Sequence, residues 1–200
     1  MAHSIEDKIL VKIKKARRGS LFFVDSFLAF GTSKAVNKAL ERLVEKKEII
    51  RVATGIYARP KQSKLLGPLT PGVEEIAEAI RKRDNARIVP TGSYAQNALG
   101  LSTQVPMKVV YLTDGAARKV KAGNYTITFK RTTPKNLSAR GSITELAIQA
   151  LKSIGKNNVT KEEEEIIIEH LKKEKRSHLE HDIRLAPEWI RKIMRKALIR

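Results

Sequence analysis

Six polar side chains between Ser33 and Arg42 are spaced to share one face of a helix: Ser33, Lys34, Asn37, Lys38, Glu41 and Arg42. Hydroxyls and amides bond base edges, and lysines and arginines neutralise phosphates, so the chemistry on offer is recognition rather than bond-making. The opposite face repeats Val36, Leu40, Leu43 and Val44, the three-and-four spacing of a helix that buries one stripe. Thr32 and Ser33 are its opening signals.

A basic helix face is usually just solvated, so the neighbouring elements decide. Before it, Val24 to Leu28 reads as a short helix and Ala29-Phe30-Gly31 as a tight turn. After it, Glu48 to Ala53 and Ile56 to Arg59 read as two strands joined at Thr54-Gly55, with Arg51 and Arg59 on the arms. This order predicts a winged helix-turn-helix, whose second helix enters the major groove of duplex DNA. Further back, Ser4 caps a helix running to about Ala16, with Asp7 near its N-terminus, and Leu21 to Phe23 is a strand able to pair with the wing. The turn between them holds Arg17 and Arg18, either phosphate contacts or solvated turn residues. The expected DNA-facing set is therefore Arg17, Arg18, Thr32, Ser33, Lys34, Asn37, Lys38, Arg42, Arg51, Thr54 and Arg59.

Composition points the same way. The 200 residues carry 40 Lys plus Arg against 21 Asp plus Glu, a formal +19, and both parts of the chain are basic, with 14 against 6 up to Lys61 and 26 against 15 beyond. Such a surface suits a polyanion. Single strands and RNA are held largely by stacking on exposed aromatics, and only 5% of this chain is aromatic, with Phe22, Phe23, Phe27 and Phe30 falling in the first core. Double-stranded DNA is the expected partner. The chain has no cysteine, hence no disulfide framework and no cysteine-based zinc site, and no cofactor or metal is expected. No apolar run approaches the ~18 residues of a membrane span and no signal peptide is evident, so a cytoplasmic, nucleoid-associated protein is expected, with no membrane partner.

The predicted class is α+β: a winged helix over residues 1–61, a Pro- and Gly-bearing linker over 62–72, and a mixed α/β domain over 73–200 that ends in several helices. In the second domain Thr70 and Pro71 open a helix ending in Arg81, Lys82 and Arg83. A strand at Arg87–Val89, a helix at Ser93–Leu99 and a strand at Val109–Leu112 follow. Next comes a hairpin of Arg118–Lys121 and Tyr125–Lys130, presenting Arg118 and Lys130 on one face. Ser142 with Glu145 and Thr160 with Glu163 read as capping boxes, and a last helix from Pro187 turns Arg191, Lys192, Arg195 and Lys196 outward.

Three partial enzyme signals stop short. Gly92-Ser93 opening a helix resembles the start of a nucleotidyltransferase site, but that chemistry needs paired carboxylates for two metal ions and Asp114 stands alone. Asp114 with Lys130 suggests a nuclease, but Thr128 sits where a second acid is needed. His178 and His181, with His170 nearby, lack the i, i+4 spacing of a helical metal pair. A ribosomal-type RNA-binding protein and a degenerate nuclease or nucleotidyltransferase stay open beside DNA binding.

Four stretches, ALERLVEKKEIIRVATGIYARP, PTGSYAQNALGLSTQVP, VVYLTDGAARKV and LAPEWI, resemble the AbiE-type antitoxin family, the regulatory halves of bacterial abortive-infection toxin–antitoxin pairs. The resemblance implies a repressor that binds repeats in its own promoter through Thr32–Arg42 and Arg51–Arg59. It also implies an antitoxic second domain opposing a nucleotidyltransferase-like toxin, with no stable complex required.

Overall fold

The computed structural model describes residues 4–63, 65 and 67–199. Lys64 and Leu66 of the expected linker lie outside the described residues. The fold is α+β and divides into two compact units. One takes the chain up to Ile80 and adds Val120–Asn124; the other takes Arg81–Lys119 and the chain from Tyr125 on.

The first unit opens with α1 (Ile5–Lys15), which starts where local chemistry dictates. The Ser4 hydroxyl accepts the Asp7 N–H at 3.1 Å, and the Asp7 carboxylate accepts the Ser4 N–H at 3.1 Å, closing a capping box. Lys12, Lys14 and Lys15 fill the last turn, where the helix dipole favours cations. β1 (Leu21–Phe23) leads into a 3-10 helix, Val24–Phe30, and then α2 (Ser33–Glu45). Thr32 caps α2, its hydroxyl accepting the Ala35 N–H at 3.3 Å. Val36, Ala39, Leu40 and Leu43 of α2 are buried with Ile9 and Ile13 of α1, Phe22, Phe27, Ile49 and Tyr57. Each large side chain removed from water here contributes about 1.5–3 kcal/mol, which fixes which face of α2 looks outward.

The strands that follow are shorter than their sequence pattern. β2 is Ile50–Ala53 and β3 is Ile56–Ala58. Glu48 cannot join β2, because its N–H closes the end of α2 on the Leu43 carbonyl at 3.0 Å, with Lys47 in the left-handed region at φ +60°. Gly55, at φ +71°, makes the two-residue turn between the strands. The sheet is antiparallel in the order β1-β3-β2, with Phe22 opposite Tyr57 and Tyr57 opposite Arg51. The segment expected as linker carries a small antiparallel pair, β4 (Lys61–Ser63) and β5 (Gly67–Leu69). α3 (Val73–Asp84) begins two residues later than the Thr70-Pro71 signal implies, because Glu75 accepts the Gly72 N–H at 3.0 Å and makes Gly72 the cap.

Beyond α3, β6 (Ile88–Thr91), α4 (Gly92–Ala98), β7 (Lys108–Thr113), β8 (Arg118–Ala122) and β9 (Tyr125–Arg131) follow in turn, all in the second unit except the end of β8 from Val120 on. Their sheet runs β6-β7-β9-β8, with β6 antiparallel and β9 parallel to β7. Tyr111 and Phe129, paired in register, stack at 5.7 Å, and Tyr94 of α4 tilts onto Tyr111 at 6.1 Å. A 3-10 turn, Pro134–Leu137, precedes four helices: α5 (Ser142–Ile154), α6 (Lys161–Leu171), α7 (Arg176–Ile183) and α8 (Glu188–Lys196). They share a core that includes Ala147, Leu151, Ile167, Leu171, Leu179, Ile190 and Met194. α6 has the expected Thr160–Glu163 box.

α5 does not have its expected box. Gly141 is the cap, Ser142 is already helical, and the orphan N–H groups are met from elsewhere in the chain. Glu174 accepts the Ile143 N–H at 2.9 Å, while the fully buried Asp182 accepts the N–H groups of Arg140 and Gly141, each at 2.9 Å, and the Thr144 hydroxyl. A side chain at position 141 would force its neighbours to shift: a Cβ there would stand 2.6 Å from the Thr144 hydroxyl and press on the Glu174 carboxylate.

Candidate nucleic-acid interface

α2 leaves Ser33, Lys34, Lys38, Glu41 and Arg42 exposed, with Asn37 half-buried. Its two halves differ electrostatically. Lys38 lies 3.5 Å from Glu41, and Arg42 lies 3.9 Å from Glu6 of α1, which also takes Lys46 at 2.5 Å. The Lys34 ammonium has no hydrogen bond or ion pair among the described residues. Asn37 turns its amide back on its own helix, Nδ2 donating to the Ser33 carbonyl at 2.9 Å, so its Oδ1 is the atom left for an outside donor. Thr32 is occupied as the cap, which places Ser33 and Lys34 on the positive end of the α2 dipole.

On the hairpin, Arg51 and Thr54 are exposed, Thr54 at the turn itself. Burial pushes the Tyr57 hydroxyl above its ordinary range, and Arg51 across the strand pair pulls the other way. Arg17 is exposed with no side-chain partner among the described residues, and Arg18 is held at 3.4 Å to the Pro60 carbonyl.

Arg59 differs from its sequence-based role. It lies beyond β3, and its guanidinium donates to the Lys14 carbonyl at 2.8 Å and to the Ala16 carbonyl. It braces the C-terminus of α1, whose last carbonyls have no helical donor. Arg118 is also turned from its expected face: it is half-buried against Asp84, while Lys119 and Lys121 take the exposed positions of β8, an edge strand. On α8, Arg191 is half-buried and closes α7, donating to the Ala186 carbonyl at 2.7 Å and the Arg184 carbonyl at 3.0 Å; Lys196 pairs with Glu164.

The residues of the enzyme signals have structural partners. Asp114 accepts the Arg87 N–H at 2.8 Å. His181 lies 2.7 Å from Asp182 and His178 3.6 Å from Glu174, and no group of three or more His, Cys, Asp or Glu able to hold a metal occurs among the described residues. The chain's five Phe, four Tyr and one Trp are all buried or half-buried. No helix is long and apolar enough among the described residues to cross a membrane.

No curated protein matches the chain. A family model described as a family of unknown function, DUF6088, matches residues 8–179, and the chain belongs to that family.

Proposed function

We propose that the first unit is a winged helix-turn-helix that binds duplex DNA through α2, and that the chain is a transcriptional regulator acting on its own promoter. The observation that carries this is the exposed N-terminal half of α2: Ser33 and Lys34 open to solvent on a capped helix whose other face is wholly buried. A +19 chain whose aromatic side chains are all buried or half-buried supports duplex over single-stranded nucleic acid. In this reading Lys34 and Lys38 meet phosphates, and Asn37 Oδ1 accepts from a base amino group in the major groove. Arg51 and Thr54 bring the hairpin to the backbone, and Arg17 and Arg18 add contacts beside it. The further step, an antitoxin that represses its own operon in the cytoplasm against a nucleotidyltransferase-like toxin, is supported by the resemblance of the second-domain stretches to AbiE-type antitoxins.

The test is fluorescence anisotropy on the duplex upstream of the gene and on a scrambled duplex, across a salt series. Tighter binding to the native duplex at every salt is expected, with log affinity falling against log salt at a slope of roughly −5 if about six phosphates are neutralised. Lys34→Ala flattens that slope by about one on both duplexes. Equal affinity for the two duplexes, or a Lys34→Ala slope identical to the parent, overturns the reading.

A further inference from the structure

A cavity of about 400 Å³ lies within the second unit, between the end of α3, the start of β6 and the loop into α5. Arg81, Arg87 and Arg140 come to it from those three places, Glu145 from the first turn of α5 forms part of its wall, and Val89 and Leu137 are buried beneath. Arg87 and Arg140 keep their charge at any pH, because arginine does not deprotonate in proteins, and Glu145 is the one carboxyl in the lining. Arg87 reaches only the Leu137 carbonyl, at 3.4 Å, and neither the Arg140 guanidinium nor the Glu145 carboxyl has a hydrogen bond or ion pair among the described residues. Among the described residues, no carboxylate is paired with Arg87 or Arg140.

We propose that this cavity binds a terminal phosphate, with Arg87 and Arg140 clamping its oxygens and Glu145 donating a hydrogen bond to one of them. Planar guanidinium forks match phosphate oxygens in pairs, and the volume falls in the range of small-ligand sites, about 300–1,000 Å³. The lining holds no aromatic side chain, so the recognised group is the phosphate rather than a stacked base. The same phosphate chemistry occurs on a free mononucleotide and on a 5′-phosphorylated strand end.

Glu145 can donate only while it is protonated. Burial first, and then the charge of Asp182 on α7, push its carboxyl up to about 7. Among the other groups around it, His181 lies 2.7 Å from Asp182 on the same helix, Lys135 and Lys152 line a second cleft with Glu145, and the arginines that share its cavity pull the other way. Lys152 is itself pushed down by burial and by Lys135. A dianion in the cavity further disfavours ionised Glu145, so anion affinity falls as pH rises through about 7.

The experiment is calorimetric titration of the full chain with inorganic phosphate, adenosine monophosphate, and one oligonucleotide with and without a 5′-phosphate. Saturable one-to-one phosphate binding is expected, with Arg87→Ala and Arg140→Ala each weakening it about tenfold or more, and Lys192→Ala, an exposed cation on α8, leaving it unchanged. Arg87 and Arg140 are exposed, and thermal melts confirm that the variants fold. Sulfate, whose charge is constant over this range, isolates Glu145: its affinity falls across pH 7 in the parent and is flat in Glu145→Gln. Adenosine monophosphate binding more tightly than phosphate identifies a free nucleotide. A gain from the 5′-phosphate of the oligonucleotide identifies a strand end. Absence of saturable binding with millimolar phosphate, or equal loss in all three cation variants, overturns the site. A flat parent profile with sulfate overturns the donor role. The titration stands apart from duplex binding by α2, since inorganic phosphate reports on the cavity whether or not the first unit reads DNA.

Discussion

Glu145→Gln will stabilise the second unit at neutral pH and leave it unchanged in acid. The folded chain holds the Glu145 proton up to about 7, through burial and the neighbouring Asp182 charge, against an ordinary value of 4.5. Between those values the native state keeps a proton that the unfolded chain has released. Stability therefore falls as pH rises from 4.5 to about 7 and stays low above it. At about 1.4 kcal/mol per tenfold change in proton affinity, that gap sets a ceiling of about 3 kcal/mol, which screening of a partly solvated carboxyl reduces to about 2 kcal/mol. Glutamine has the shape and no proton to lose, so the variant lacks this slope. Urea unfolding should be followed through Trp189, the single tryptophan, which packs on the helical core that contains α5. The difference between variant and parent will be constant below pH 4.5 and rise by about 2 kcal/mol by about pH 8. A difference that does not change with pH would show that the carboxyl is solvated and refute the reasoning.

Two other residues make sharp tests. Asp182→Ala removes the common acceptor of the Arg140 and Gly141 N–H groups and the Thr144 hydroxyl, and will cost about 3–5 kcal/mol in the same assay. Burial would raise the Asp182 carboxyl, but bonds from His181, Thr144, Gly141 and Arg140 outweigh it and hold the group below its ordinary value. Its stabilisation is thus complete above the ordinary aspartate range, about pH 4, and is lost as pH falls through the depressed folded value. Asp182→Asn will lose that acid slope, and a loss under about 1 kcal/mol in Asp182→Ala would mean the site rebuilds with water. Arg59→Ala will destabilise the first unit by about 1–3 kcal/mol by freeing the last carbonyls of α1, yet leave the salt slope of duplex binding as it was. Arg51→Ala will do the reverse, and matching behaviour of the two arginines would remove the distinction between brace and contact.

What could be read from the chain in advance was what short-range chemistry decides. Ser4 with Asp7 and Thr160 with Glu163 each cap a helix from three residues away, so pattern and structure coincide. The α2 stripe of Val36, Leu40 and Leu43 is likewise a local period that any core must bury. Side-chain destinations across the fold were not legible. Arg51 and Arg59 look alike on a hairpin arm, yet one is solvent-facing and the other reaches back 45 residues to the Lys14 carbonyl. Arg118 and Lys119 differ by one position on β8, and the pleat reverses which of them faces water.

The start of α5 shows how a misread cap and a candidate site come to be the same residue. Ser142 and Glu145 have the spacing of a capping box, and in isolation Glu145 would fold back on its own N-terminus. In the structure that work is done by Asp182 and Glu174, which lie 41 and 31 residues from the N–H groups they accept. With the helix end already satisfied by two carboxylates, a third has no donor to meet there. Glu145 is left half-buried beside the Asp182 charge, which raises its proton affinity, and it faces a cavity that also gathers Arg81, Arg87 and Arg140. The long-range cap is thus the physical reason that a carboxyl of raised proton affinity lines a cavity with Arg81, Arg87 and Arg140. Moving the cap back to Glu145, by removing Asp182, should cost both the stability of α5 and the phosphate affinity of the cavity.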